Sequence, residues 1–130
     1  MRVITYGLLP MLVGCQQVPG TVDYDLRARM EEAVKGHLKD PESAQFSDVS
    51  YYSERNLACG MVNAKNSLGG YTGPKAFAYI EGDAYSTEWG ADHNKFLRAN
   101  HECLAERIKQ LRAENPGVKF DDPGPFQPLK

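Results

Sequence analysis

No apolar run in this chain approaches the roughly 20 residues that a bilayer-spanning helix needs, so no transmembrane helix is expected. Charge of either sign is also not in excess. Fifteen basic against seventeen acidic residues give a formal net charge of −2, and no basic stripe interrupts that balance. Nucleic acid is therefore not an expected partner, because a surface that neutralises phosphates carries a basic surplus. Potential metal ligands are sparse. His93 and His101 stand eight residues apart, and His101 and Cys103 stand two apart, which on a helix turns that pair about 200° away from one another. No metal site and no cofactor are expected. The 130 residues suit one domain with a modest core.

The N-terminus departs from the rest in composition. "MRVITYGLLPMLVGCQQ" has Arg2, an apolar stretch from Val3 to Val13, and small Gly14 directly before Cys15, the layout of an export leader. "LVGC", Leu12 to Cys15, resembles the bacterial lipobox. The resemblance implies a signal peptide over residues 1–14, cleavage after Gly14, and lipid on the thiol and amine of Cys15, with palmitate among the acyl chains. Each buried methylene adds about 0.8 kcal/mol, so several chains hold a protein to a bilayer almost permanently. Gln16, in place of aspartate after the cysteine, implies forwarding to the outer membrane rather than retention at the inner one. The alternative is a buried N-terminal strand or helix with an ordinary cysteine.

Three cysteines are an odd number for an exported protein. Assigning Cys15 to lipid leaves Cys59 and Cys103 as a pair in an oxidising compartment, where a disulfide is expected. Closing a loop of about 45 residues contributes on the order of 4 kcal/mol on the chain-entropy account. The pairing also removes both thiols as nucleophiles.

Residues 15–23 read as a polar tether. Leu26, Met30, Ala33, Val34, His37 and Leu38 then recur at helical spacing, with Asp23 or Asp25 as the cap and Pro41 as the limit, which predicts a helix over about 24–39. "AQFSDVSYY", "LACGMVNA" and "KAFAYIE" read as strands; Val49 and Tyr51 share one face of the first, and Phe77 and Tyr79 share one face of the third. "GDAYSTEWGAD" reads as irregular. A second helix is expected over about 94–114, capped by Asp92 and striped by Phe96, Leu97, Cys103, Leu104, Ile108 and Leu111. The expected fold is α+β: a helix, a three-stranded antiparallel meander and a C-terminal helix packed on the sheet, with one disulfide. A single domain spans 24–115, and a proline-rich tail, extended or disordered, spans 116–130.

Asn63 to Pro74 connects the second and third strands. A phosphate loop feeds glycine-rich backbone into a helix N-terminus, whereas these glycines lead through Pro74 into a strand, so the nucleotide reading fails. Gly69, Gly70 and Gly73 mark positions needing positive φ or close backbone approach. Asn63, Asn66 and Ser67 suit hydrogen bonds to their own loop backbone.

"LKDPESAQF" together with "CGMVNAKNSLGGYTGPKAF" is similar to a group of small proteobacterial and bacteriophage proteins, many of them predicted lipoproteins, over roughly residues 26 to 82. In the shared "CGxVNAKNSxGGYTG" pattern, Leu68 stands where phenylalanine is expected, a change that should preserve burial. The resemblance implies location and fold and carries no activity.

His37 lies beside the first helix's stripe, where a half-buried, hydrogen-bonded histidine is ordinary. Glu81, Asp83 and Glu88 are scattered acids near a turn rather than an acid/base pair. No catalytic residue is assigned. The expected function is a lipid-anchored, non-enzymatic binding module of the envelope, such as an inhibitor, an immunity protein or a phage exclusion factor, with an envelope protein as partner. Its candidate binding residues are Asn63, Lys65, Asn66, Tyr71, Tyr85 and Trp89, with Tyr51 and Tyr52 as further aromatics. A small envelope hydrolase using the loop asparagines and an acid, and a structural component of envelope assembly, are the alternatives.

Overall fold

A computed structural model describes residues 23–90 and 92–130. The expected signal peptide, the lipidation residue Cys15 and nearly all of the tether lie outside the described residues.

The first helix, α1, spans Tyr24–Lys35, and Asp23 caps it by accepting from the backbone N–H groups of Asp25 and Leu26 at 3.0 and 3.1 Å. Leu26, Met30 and Val34 are fully buried at helical spacing, as the periodicity demands. The helix stops short of the expected residue 39. His37 and Leu38 donate to the carbonyls of Val34 and Lys35, three residues back, so the chain tightens and leaves the α-helix before Pro41 is reached.

Four strands follow: β1 (Gln45–Tyr52), β2 (Leu57–Asn63), β3 (Lys75–Ile80) and β4 (Asp83–Ser86). They form one sheet in the order β1-β2-β3-β4, with every neighbouring pair antiparallel. The strand β4 corrects the three-stranded expectation, because part of the stretch read as irregular pairs with β3. Its turn is Glu81-Gly82, with φ of 57° and 85°. A tight hairpin needs positive φ at both central residues, and glutamate is a poor advertisement for that conformation. At the other edge, β1 carries a bulge between Ser47 and Ser50, with Asp48 at a φ of 52°. The bulge interrupts what would otherwise be a straight, pairable edge.

The second helix, α2, spans His93–Glu114, and Asp92 caps it by accepting from the N–H of Lys95. The two helices cover opposite faces of the sheet. Leu26, Met30 and Val34 of α1 pack with Ala58, Val62, Phe77, Tyr79 and Ala84; Phe96, Ala99 and Cys103 of α2 pack with Leu57, Ala78, Ile80, Tyr52 and Tyr85. The strict alternation along β3 sends Phe77 and Tyr79 one way and Ala78 and Ile80 the other. Cys59 in β2 is joined to Cys103 in α2, with Cα atoms 6.4 Å apart, within ordinary disulfide geometry. The expected stripe on α2 is narrower than drawn. Leu104 is half exposed, while Ala99, absent from that stripe, is fully buried in the cluster with Leu57, Ala78 and Ile80.

The tail from 116 onward has no helix or strand, yet it turns back along α2. Arg112 pairs with Asp122 at 2.9 Å and donates to the carbonyl of Phe120. His101 Nε2 donates to the Gly124 carbonyl at 2.8 Å, its ring lying beside Phe126, and Asn94 exchanges hydrogen bonds with the backbone of Leu129. Polar side chains spaced along one face of α2 thus give backbone groups of an aperiodic segment their partners.

Candidate functional site

The loop between β2 and β3 is built on its asparagines. Asn63 Oδ1 accepts from the N–H of Gly73 at 3.1 Å, and Asn66 Oδ1 accepts from Leu68 and Gly70 at 3.0 and 3.2 Å. Backbone bonds from Asn66 to Gly70 and from Gly69 to Asn66 close the tip. Both asparagines therefore serve as turn scaffolds, as asparagine does where backbone amides lack partners. Gly69 and Gly73 take φ of 80° and 95°. Gly70 corrects the expectation made for it: its φ is not positive and an added Cβ would meet nothing closer than 3.9 Å.

That scaffold lifts Leu68 into solvent. Leu68 is 94% exposed, so the expectation of burial at this position is overturned: a β-turn tip projecting past the sheet has no core to reach. Tyr71, 46% exposed, lies against the base of the loop; its hydroxyl donates to the Ser43 carbonyl at 3.3 Å, and Lys65 Nζ sits 5.5 Å from its ring centroid. Lys65 and Tyr71 also form an isolated antiparallel bridge, and Ser43 Oγ accepts from the Lys65 N–H at 2.8 Å. The "PES" turn therefore braces the loop from below.

Beside the loop, where the chain leaves α1, lies a cleft of about 370 Å³. His37, Lys39, Lys65, Lys75, Glu88 and Trp89 bring the polar and aromatic groups to it, over Leu38 and Val62. His37 stacks on Trp89 with ring centroids 4.8 Å apart, and its Nε2 is 3.3 Å from Asp83 Oδ1. Trp89 is held by a reverse turn in which the Ser86 N–H donates to its carbonyl at 2.9 Å. Among the described residues, Trp89 Nε1 is a buried donor without a partner, an uncommon state for a buried polar group. Lys75 pairs with Glu88.

The structure thus brings Lys65, Asn66 and Trp89 to one cleft and leaves Asn63 committed to the loop interior. Tyr85 is elsewhere. It is buried beneath α2, with Lys95 Nζ 3.4 Å from its hydroxyl, and that hydrogen bond holds the Lys95 ammonium above its usual range. A buried ring packed with Phe96 cannot present a recognition surface. Tyr52 is likewise buried, and its phenol is pushed up first by that burial; Tyr51, partly exposed, is pushed up for the same reason. The acids are distributed as solitary partners, Asp83 to His37 and Glu88 to Lys75. His37, Lys39 and Lys75 were not among the residues the sequence reading offered for binding. Nothing in their spacing marks them, since they come from the segment after α1 and the start of β3.

No protein-family model matches the chain, and no curated protein or solved structure matches it either.

Proposed function

We propose that this chain is a non-enzymatic binding module of the bacterial cell envelope, anchored to the outer membrane through lipid on Cys15 and engaging an envelope protein through its β2–β3 loop. The observation that carries the reading is Leu68, 94% exposed on a tip whose conformation is held by the amide of Asn66. An apolar side chain on a rigid tip loses little entropy when it is covered, so most of its transfer free energy is retained on binding. Tyr71 adjoins it with an amphipathic ring of the kind that anchors interfaces. The "LVGC" leader and the similarity to small lipoprotein-like proteins of proteobacteria and phages support the location. Inhibition, immunity and exclusion are the roles that small binding modules commonly take at the envelope.

A hydrolase built on the loop asparagines has less to recommend it. Asn63 and Asn66 spend their carbonyl oxygens on the loop's own amides, and Glu88, the acid that shares the cleft with Asn66, is paired with Lys75.

The test is complementation of a deletion strain. Leu68→Asp and Tyr71→Ala should lose the deleted function while their melting temperatures stay near that of the parent, and Cys15→Ala should lose lipid labelling and envelope retention. Full complementation by Leu68→Asp together with Tyr71→Ala would sink the loop reading; unchanged labelling of Cys15→Ala would sink the anchor.

A further inference from the structure

We propose that the cleft beside His37 and Trp89 is a binding site for a phosphate monoester carried on a small apolar or aromatic body. Its volume, about 370 Å³, falls in the range of small-ligand pockets, which combine an apolar lining with a few convergent polar groups. Leu38, Val62 and the Trp89 indole supply the apolar wall, and Lys39, Lys65 and Lys75 the cationic one. Three lysines face one glutamate there, and the surplus of two positive charges matches a phosphate monoester dianion.

That surplus stands out on a chain whose formal charge is −2. It is also available. Among the described residues neither Lys39 nor Lys65 has an ion-pair partner, whereas Lys75 is paired with Glu88. All three cations are ammonium groups. A planar carboxylate is best met by the fork of a guanidinium, while lysine acts on phosphate as a point charge from several directions. Trp89, whose buried indole N–H has no partner among the described residues, belongs to the same wall. Leu68 is not part of the cleft lining, whereas Lys65 and Asn66 of the same loop are, so Leu68→Asp tests the protein contact and Lys39→Gln, outside the loop, tests the cleft.

Trp89 is the single tryptophan of the chain, and its emission reports on the cleft directly. The purified full chain is titrated with phenyl phosphate near pH 8, where the second ionisation, with a pKa of about 6, is complete. A saturable change in Trp89 emission is expected, weakening as salt is raised, and weakened tenfold or more in Lys39→Gln/Lys65→Gln. Lys39→Gln alone, which leaves the Lys65–Tyr71 stack in place, should weaken binding by a smaller factor. Melting temperatures verify that both variants are folded. Absence of a saturable change, or unaltered affinity in the folded double variant, would overturn the site. Benzoate binding as tightly as phenyl phosphate would overturn the dianion assignment, and inorganic phosphate binding as tightly would overturn recognition of the organic body.

Discussion

Gly60 of β2 runs so close under Val49 of β1 that a Cβ placed on it would lie 2.8 Å from Val49 Cγ2 and 2.9 Å from Val49 Cα. One of those atoms is backbone, so a rotamer change cannot relieve the clash. The crowding comes from the bulge between Ser47 and Ser50, which folds the edge strand over its neighbour. Gly60→Ala should therefore cost about 1–3 kcal/mol, the usual range for overpacking, and lower the melting temperature by roughly 5 °C or more. Gly70→Ala is the matched control: its site is open and its φ ordinary, so thermal denaturation should show no loss and a gain of up to about 1 kcal/mol.

The Cys59–Cys103 bridge spans 44 residues and ties β2 to α2. Replacing both cysteines by serine should remove on the order of 4 kcal/mol, read from the denaturant midpoint. Alkylation of the protein purified without reductant should leave both residues unlabelled. Labelling at either one contradicts the bridge.

Substitutions at Tyr71 and Leu68 separate folding from the recognition proposed for the loop. Tyr71→Phe deletes one exposed hydrogen bond to the Ser43 carbonyl and should cost no more than about 1 kcal/mol. Leu68→Ala removes a side chain that touches solvent and should leave the melting temperature unchanged. A large loss in Leu68→Ala would mean that the tip is buried in the folded protein.

Stability should fall at both ends of the pH range, for different reasons. Asp23 is held below the usual carboxylate range, chiefly by the N–H of Leu26; its contribution is complete above the unfolded value and is lost as pH falls through the lower folded one. Asp23→Asn keeps a capping oxygen and should flatten that acidic limb. Tyr52 is held above the usual phenol range by burial, so its contribution is complete below the unfolded value and is lost as pH rises towards the folded one. Tyr52→Phe should flatten the alkaline limb. Denaturant melts of both variants across pH check the signs.

Periodicity alone determined the two helices, the opposed faces of β3 and the inward aim of Cys103, because burial acts on side chains at fixed spacing whatever lies beyond them. The asparagine and glycine content likewise announced a turn whose amides are met by side chains. The same local logic missed β4, since Glu81 enters a left-handed conformation only because β3 and β4 pair on either side of it. It misplaced Tyr85, which lies four residues before Trp89 in sequence but packs with α2, while Trp89 stacks on His37. It could not see the tail's return along α2. The cleft is wholly a product of tertiary structure: Lys39 follows α1, Lys65 lies in the β2–β3 loop and Lys75 opens β3, and no spacing rule links charges whose proximity is set by where the helix ends and the sheet begins.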